Sequence, residues 1–163
     1  PLDEARIRNY RQRFETNAGA LERFLLASGR EVDSAGWRRR NFNYLWPDRL
    51  LAAREALAAL VAENETFVLV DDQELGGQQL VPGRTALPFL ERDGQYWGPP
   101  PDDATATREL ERLRANGAGL IAFWWTFFWW LDHYCEFAQW LRARFRLVLN
   151  SEALIAFDLR SEA

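Results

Sequence analysis

The stretch that decides the fold is residues 66–72, Thr-Phe-Val-Leu-Val-Asp-Asp, a short apolar run rich in β-branched residues and followed by two carboxylates. A continuous apolar run of this length is typical of a strand that is buried on both faces of a parallel sheet. Residues 120–124, Leu-Ile-Ala-Phe-Trp, form a second run of the same kind. We therefore predict two buried parallel strands at the centre of an α/β domain.

Four helices and a pair of strands are predicted around these runs, from apolar spacing and from residues that open or cap helices. The predicted helices are 2–28, one opened by Pro47, one from Asp102 or Asp103 to Asn116, and one that begins at about Phe128. The predicted strands, 147–149 and 154–157, flank a tight turn. Residues 71–101 show no periodicity and are predicted to form a long connection.

Strands and helices alternate in this pattern. Right-handed crossovers then place the helices on the sheet and leave the strands parallel. We predict an α/β fold, a small Rossmann-like three-layer domain with a mainly parallel sheet and a C-terminal β-hairpin, over residues 65–163. Residues 1–64 are predicted to be an N-terminal helical arm with two helices.

Composition excludes several classes of function. The chain has 163 residues and a formal net charge of −4, which argues against a nucleic-acid binder, and no apolar run is long enough for membrane insertion. All 20 basic residues are Arg, so a catalytic lysine is excluded, and one Cys and one His exclude a disulfide framework and the usual zinc clusters. We expect a cytoplasmic domain without a cofactor or metal. The start at Pro1 and the absence of Met suggest a fragment of a larger protein.

The carboxyl ends of the predicted strands are the expected place for a ligand crevice. Asp71 and Asp72 are predicted ligand-binding residues there, since carboxylates hold sugar or ribose hydroxyls or a metal ion, and a turn-forming Asp pair is the alternative. A dinucleotide is not expected, because these acids and Glu74 precede Gly76-Gly77 and would repel a pyrophosphate.

Nucleophilic and general-base chemistry have few candidates. His133 and Asp132 are the candidate catalytic residues, because the pair could bind a ligand or act as a general base. The alternative is that His133 bonds a neighbouring loop and Asp132 suits the dipole of the helix N-terminus. Cys135 is expected to be an inert core thiol, on a different side of the predicted helix from His133.

The aromatic residues are numerous and clustered, with 8 Trp and 11 Phe in the chain. Neighbouring residues of a strand point to opposite faces, so at least one of Trp124 and Trp125 faces away from the core. Most of the rings are expected in the core. Trp125, Trp129, Tyr96 and Trp97 are predicted ligand-binding residues, because indole and phenol faces stack on sugar rings.

Six segments carry a family resemblance. They are Leu87-Pro88-Phe89, residues 93–100 (Asp-Gly-Gln-Tyr-Trp-Gly-Pro-Pro), Asp102-Asp103, residues 109–114, Asn116-Gly117-Ala118 and residues 129–134 (Trp-Trp-Leu-Asp-His-Tyr). Together they resemble a Rossmann-like α/β module associated with bacterial glycosyltransferases and surface-polysaccharide biosynthesis proteins. The resemblance spans residues 66–160 and is most specific at 129–134. It implies a role in glycan biosynthesis, and that module has no assigned catalytic residue to carry over.

Three hypotheses on function follow. The first is a non-catalytic accessory domain of a glycan-assembly protein that binds carbohydrate or a sugar nucleotide, or docks a neighbouring catalytic domain. The second is a small sugar-modifying enzyme or transferase, which requires the acids and His133 to converge in one crevice with a perturbed pKa. The third is an oligomerisation module, with a homodimer formed through the N-terminal helix. The first is favoured, because no catalytic motif is present.

Overall fold

The structure is a computed structural model that describes residues 4–29, 33, 42–75 and 80–162. It divides into two compact units, Pro1–Ala52 and Ala53–Ala163. Gly76 and Gly77 lie outside the described residues. None of the described helices is long and apolar enough to cross a membrane.

Among the described residues, two helices precede the sheet. α1 spans Glu4–Ala27, and α2 spans Phe42–Leu60. Pro47 lies inside α2, so the prediction that it opens the helix was wrong. Proline lacks an amide hydrogen, so the helical hydrogen bond to the carbonyl of Asn43 is missing in the second turn.

The second unit contains the sheet and its helices. Its strands are β1 Thr66–Val70, β2 Thr85–Pro88, β3 Glu91–Arg92, β4 Gln95–Tyr96, β5 Ala118–Trp124, β6 Phe145–Asn150 and β7 Leu154–Glu162. Its remaining helices are α3 Asp103–Ala115, α4 Trp130–His133 and α5 Cys135–Arg144, and a 3₁₀ turn covers Trp125–Phe127.

Five of these strands form one sheet in the order β2-β1-β5-β7-β6, and β3 pairs with β4 in a separate hairpin. β1 is parallel to β2 and to β5, whereas β7 is antiparallel to β5 and to β6. Among the described strands of this sheet, β7 alone therefore runs in the opposite direction. The predicted α/β fold with a mainly parallel sheet and a C-terminal hairpin is confirmed, and it is that of a small Rossmann-like domain.

The aromatic core lies between one face of the sheet and α3, α4 and α5. Strand residues such as Val68, Ile121 and Phe157 meet helix residues such as Leu110 and Phe137 there, all of them essentially excluded from solvent. Residues on the other face of the same strands, including Phe67, Leu69 and Trp124, are equally buried. Burial of both faces explains why β1 and β5 are continuous apolar runs rather than alternating ones.

Two sequence-based predictions in this unit were wrong. The long connection 71–101 contains β2 and the β3–β4 hairpin, which strands of two to four residues are too short to reveal through periodicity. The aromatic helix expected from Phe128 is two helices, because Tyr134 adopts φ −93 and ψ 72 and separates α4 from α5.

Candidate functional site

The carboxyl edge of the sheet brings together the loops that follow β1 and β5. From β1 the chain continues to β2 on one side of the sheet, and from β5 it continues to β6 and β7 on the other side. The adjacent strands β1 and β5 therefore form a topological switch point. The two loops are joined directly, because the Thr126 hydroxyl donates to Oε2 of Glu74 at 3.1 Å. This edge is where a ligand crevice is expected in an open α/β sheet.

Asp71, the first residue after β1, is only 2% exposed. Its Oδ1 accepts the amide hydrogen of Gln73 at 3.1 Å, and its Oδ2 accepts that of Leu75 at 3.0 Å. Burial raises the pKa of Asp71 to about 6, although these two hydrogen bonds favour the charged form. The side chain therefore holds the turn in place, as the turn-forming alternative required, and it titrates close to neutrality.

Asp72 is exposed and occupies the left-handed region with φ 47, followed by Gln73 with φ 62. Two consecutive non-glycine residues in this region are costly and persist only where the surroundings enforce them. Burial raises the pKa of Tyr96, and the neighbouring carboxylate of Asp72 raises it further. The structure thus brings Asp71, Asp72 and Tyr96 together.

Tyr134, at the break between α4 and α5, connects this cluster to the aromatic residues. It acts electrostatically on Tyr96, and its ring lies 4.9 Å from that of Trp130 and 4.7 Å from that of His133. His133 in turn meets Trp129 edge-to-face at 5.7 Å. Trp129 is 47% exposed, so these two predicted residues form an aromatic pair on the surface.

Asp132 and His133 are both exposed, and among the described residues no hydrogen bond joins their side chains. Cys135 is exposed as well, and its Sγ donates to the carbonyl oxygen of Asp132 at 2.8 Å. The expectation of a core thiol was wrong, because the break at Tyr134 changes the direction of the helix and with it the face that Cys135 occupies. Trp125 is half-buried and meets the fully buried Trp124 edge-to-face at 6.2 Å.

A groove of about 390 Å³ lies between the β3–β4 hairpin and the first turns of α3. Both elements stand at the carboxyl edge, since the hairpin follows the end of β2 and α3 returns the chain to the start of β5. The groove is lined by Leu90, Glu91, Arg92, Trp97, Pro99, Pro101, Thr105, Arg108 and Glu109. We call it the Trp97 groove.

Trp97 is the aromatic residue of the groove lining, and 62% of its surface is open to solvent. The guanidinium carbon of Arg92 lies 5.0 Å from the centre of the indole, a cation–π distance. Its backbone is held in place, because the Trp97 amide donates to the carbonyl of Leu90 at 3.0 Å. The indole ring is therefore exposed to solvent while the backbone of Trp97 is held by the hairpin.

Arg112 of α3 ties the two walls of the groove together. Its Nη2 lies 2.9 Å from Oε2 of Glu91 on the hairpin, and its Nε lies 2.8 Å from Oε2 of Glu109 on the helix. The same Nη2 donates to the carbonyl oxygen of Glu91 at 2.7 Å. The pKa of Glu91 is lowered, chiefly by the hydrogen bond from the amide of Gly94 and further by these contacts with Arg112.

The predicted site residues thus do not form a single site. Asp71, Asp72 and Tyr96 meet at the strand ends, Trp129 and His133 pair on the surface beside Tyr134, and Trp97 lies in the groove. Trp125 is half-buried against Trp124, and Asp132 is exposed. Sequence reasoning missed the other polar groove residues. The signal available for them was the spacing of Thr105, Arg108 and Glu109, which places all three on one face of α3.

No protein-family model, curated protein or solved structure matches this chain. Within the described residues, no group of three or more His, Cys, Asp or Glu side chains is arranged to hold a metal ion.

Proposed function

We propose that this chain is a non-catalytic accessory domain of a bacterial glycan-assembly protein and that it binds carbohydrate in the Trp97 groove. The observation that carries the proposal is the exposed indole of Trp97 at the rim of a groove with polar walls. A solvent-exposed ring of this size held on a fixed backbone has no role in the core, whereas a flat aromatic face is what the apolar side of a sugar ring packs against.

The walls of the groove supply the second half of sugar recognition. Thr105, Arg108 and Glu109 present a hydroxyl, a guanidinium and a carboxylate, which together can donate to and accept from sugar hydroxyls. A volume of about 390 Å³ is at the lower end of the range for small-ligand sites and suits one or two sugar units. With one stacking ring we expect weak binding.

Titration of the intact chain with a panel of sugars, sugar nucleotides and nucleotides tests the proposal by calorimetry and tryptophan fluorescence. We expect one class to bind, and Trp97→Ala to reduce its affinity at least tenfold. Trp129→Ala is the matched control, because Trp129 is also exposed but does not line the groove. Absence of binding across the panel would contradict carbohydrate recognition and favour docking of a neighbouring catalytic domain.

A small sugar-modifying enzyme is the second candidate. It is favoured by the carboxyl of Asp71, which has a pKa of about 6 and lies beside Asp72 and Tyr96 at the carboxyl edge. It ranks second because both carboxylate oxygens of Asp71 already accept backbone hydrogen bonds. Turnover of any sugar nucleotide by the wild-type chain that is abolished in Asp72→Asn would place it first.

An oligomerisation module is the third candidate. Leu21, Phe24 and Leu26 of α1 are 45%, 67% and 59% exposed, more than apolar side chains of a surface helix usually are. Sedimentation of the wild type and of Leu21→Gln with Phe24→Gln tests it. A dimer that dissociates in the double variant would support this role, and a monomer at every concentration would exclude it.

A further inference from the structure

We infer that the Trp97 groove selects an anionic saccharide, a sugar that carries a carboxylate or a phosphate, and that Arg108 together with Arg92 recognises its charge. This inference rests on the proposed function and adds the class of ligand. It is drawn from which charged side chains of the groove lining are engaged with protein groups and which still have donors for a ligand.

The two carboxylates of the groove are already engaged with protein groups. Glu91 uses Oε1 to accept the amide of Gly94 at 2.5 Å and Oε2 to contact Arg112. Glu109 contacts the same guanidinium through Oε2. The pKa of Glu91 is lowered by these contacts, so it stays ionised and engaged with protein groups at neutral pH.

The two lining arginines are far less engaged. The Arg108 side chain is 67% exposed, makes a 3.3 Å hydrogen bond to Thr105, approaches Glu109 at 3.8 Å and acts electrostatically on Asp102. The guanidinium carbon of Arg92 lies 5.0 Å from the centre of the Trp97 ring, and within the described residues its N–H groups make no hydrogen bond or ion pair. Both cations therefore retain donors for an incoming anion.

The residues that line the groove carry two positive charges, on Arg92 and Arg108, and two negative charges, on Glu91 and Glu109. Both carboxylates contact Arg112, which lies outside the lining, so the donors left for a ligand are those of Arg92 and Arg108. A neutral sugar would make only ordinary hydrogen bonds to these two guanidinium groups. A carboxylate or phosphate on a ring that stacks against Trp97 would gain charge-assisted, bidentate hydrogen bonds from a guanidinium.

The test compares the affinities of acidic sugars with those of neutral sugars of the same kind and of phosphate alone. D-glucuronate and D-glucose 6-phosphate are titrated into the intact chain beside D-glucose, the methyl ester of glucuronate, and inorganic phosphate. We expect one acidic sugar to bind at least tenfold more tightly than both neutral sugars and than phosphate alone, with a preference that shrinks as salt is raised. Arg108→Gln is expected to remove this preference while the residual affinity equals that for glucose.

Arg142→Gln is the matched control, since Arg142 is exposed on α5 and outside the groove but changes the net charge equally. An equal loss in this control would show a general charge effect and overturn the inference. Equal, Trp97-dependent affinity for neutral and acidic sugars would overturn the inference and leave the proposed function standing. Phosphate binding as tightly as the acidic sugars would show an anion site rather than a sugar site. Failure of all five probes to bind would contradict both.

Discussion

The Tyr134 hydroxyl donates a 2.7 Å hydrogen bond to the carbonyl oxygen of Pro100, so the break between α4 and α5 is fastened to the proline segment that borders the Trp97 groove. Tyr134 itself is buried and does not line the groove. The bond makes Tyr134 a positioning residue, which acts on the groove through the backbone of residues 99–101.

Tyr134→Phe isolates this effect, because it removes the hydroxyl and keeps the ring. The buried carbonyl of Pro100 loses its donor, so we expect the free energy of unfolding to fall by about 1 kcal/mol in urea titration. Sugar affinity should fall in parallel although Tyr134 touches no ligand. Unchanged stability would show that water replaces the hydroxyl and that the bond does not position the groove.

Trp130 and Trp97 should respond oppositely to truncation. Trp130 is 2% exposed and packs against Phe89 at 5.8 Å and Tyr134 at 4.9 Å, so we expect Trp130→Ala to cost about 3–5 kcal/mol. Trp97→Ala should stay within about 0.5 kcal/mol of wild type, since that ring is mostly exposed. Urea unfolding followed by circular dichroism measures both. Equal costs for the two variants would refute the assignment of Trp130 to the core.

The pH dependence of stability should carry the signature of Asp71. Its pKa of about 6 in the folded chain lies above the value of 3.8 expected after unfolding, so the folded state holds the proton more tightly. The contribution of Asp71 is therefore fully favourable below about pH 4 and is lost as the pH rises to about 6, a change of about 3 kcal/mol.

Asp71→Asn should remove that decline, and the difference in unfolding free energy between variant and wild type should shift with pH from 4 to 7. The pKa values of Glu91 and Asp158 are lowered in the folded chain, so their contributions to stability are lost only as the pH falls below their ordinary values of 4.5 and 3.8. These losses therefore do not mask the effect of Asp71. A difference that is constant across this range would mean that the pKa of Asp71 is not raised.

Cys135 should react in the folded protein. Because the thiol is exposed, a maleimide is expected to label one site at a rate within about tenfold of that in urea. Cys135→Ser should abolish labelling and leave the melting temperature nearly unchanged. Protection of the native thiol would show that it is buried after all.

Local composition was enough to predict the central strands. Thr66–Val70 has the bounds that the apolar run indicated, and β5 begins only two residues before the predicted 120. Both are buried on two faces, so their apolar character is continuous and visible in the sequence. The α/β pattern followed from them with few alternatives.

The groove could not be predicted in the same way. Its hairpin has strands of two residues, held by long-range contacts such as that between Glu91 and Arg112, 21 positions apart. Trp97 was singled out from its residue type, but its partners Arg92 and Arg108 depend on how the hairpin meets α3. The break at Tyr134 likewise carries no Gly or Pro, and it coincides with a hydrogen bond to residue 100.

The chain enters and leaves the sheet at the same edge, because β1 starts where the single reversed strand β7 ends. A 3.5 Å ion pair between Glu65 and Arg160 joins the two points. The loops that follow β1 and β5 stand at the other edge. A fluorescent reporter attached behind β7 should therefore leave the Trp97 groove unobstructed.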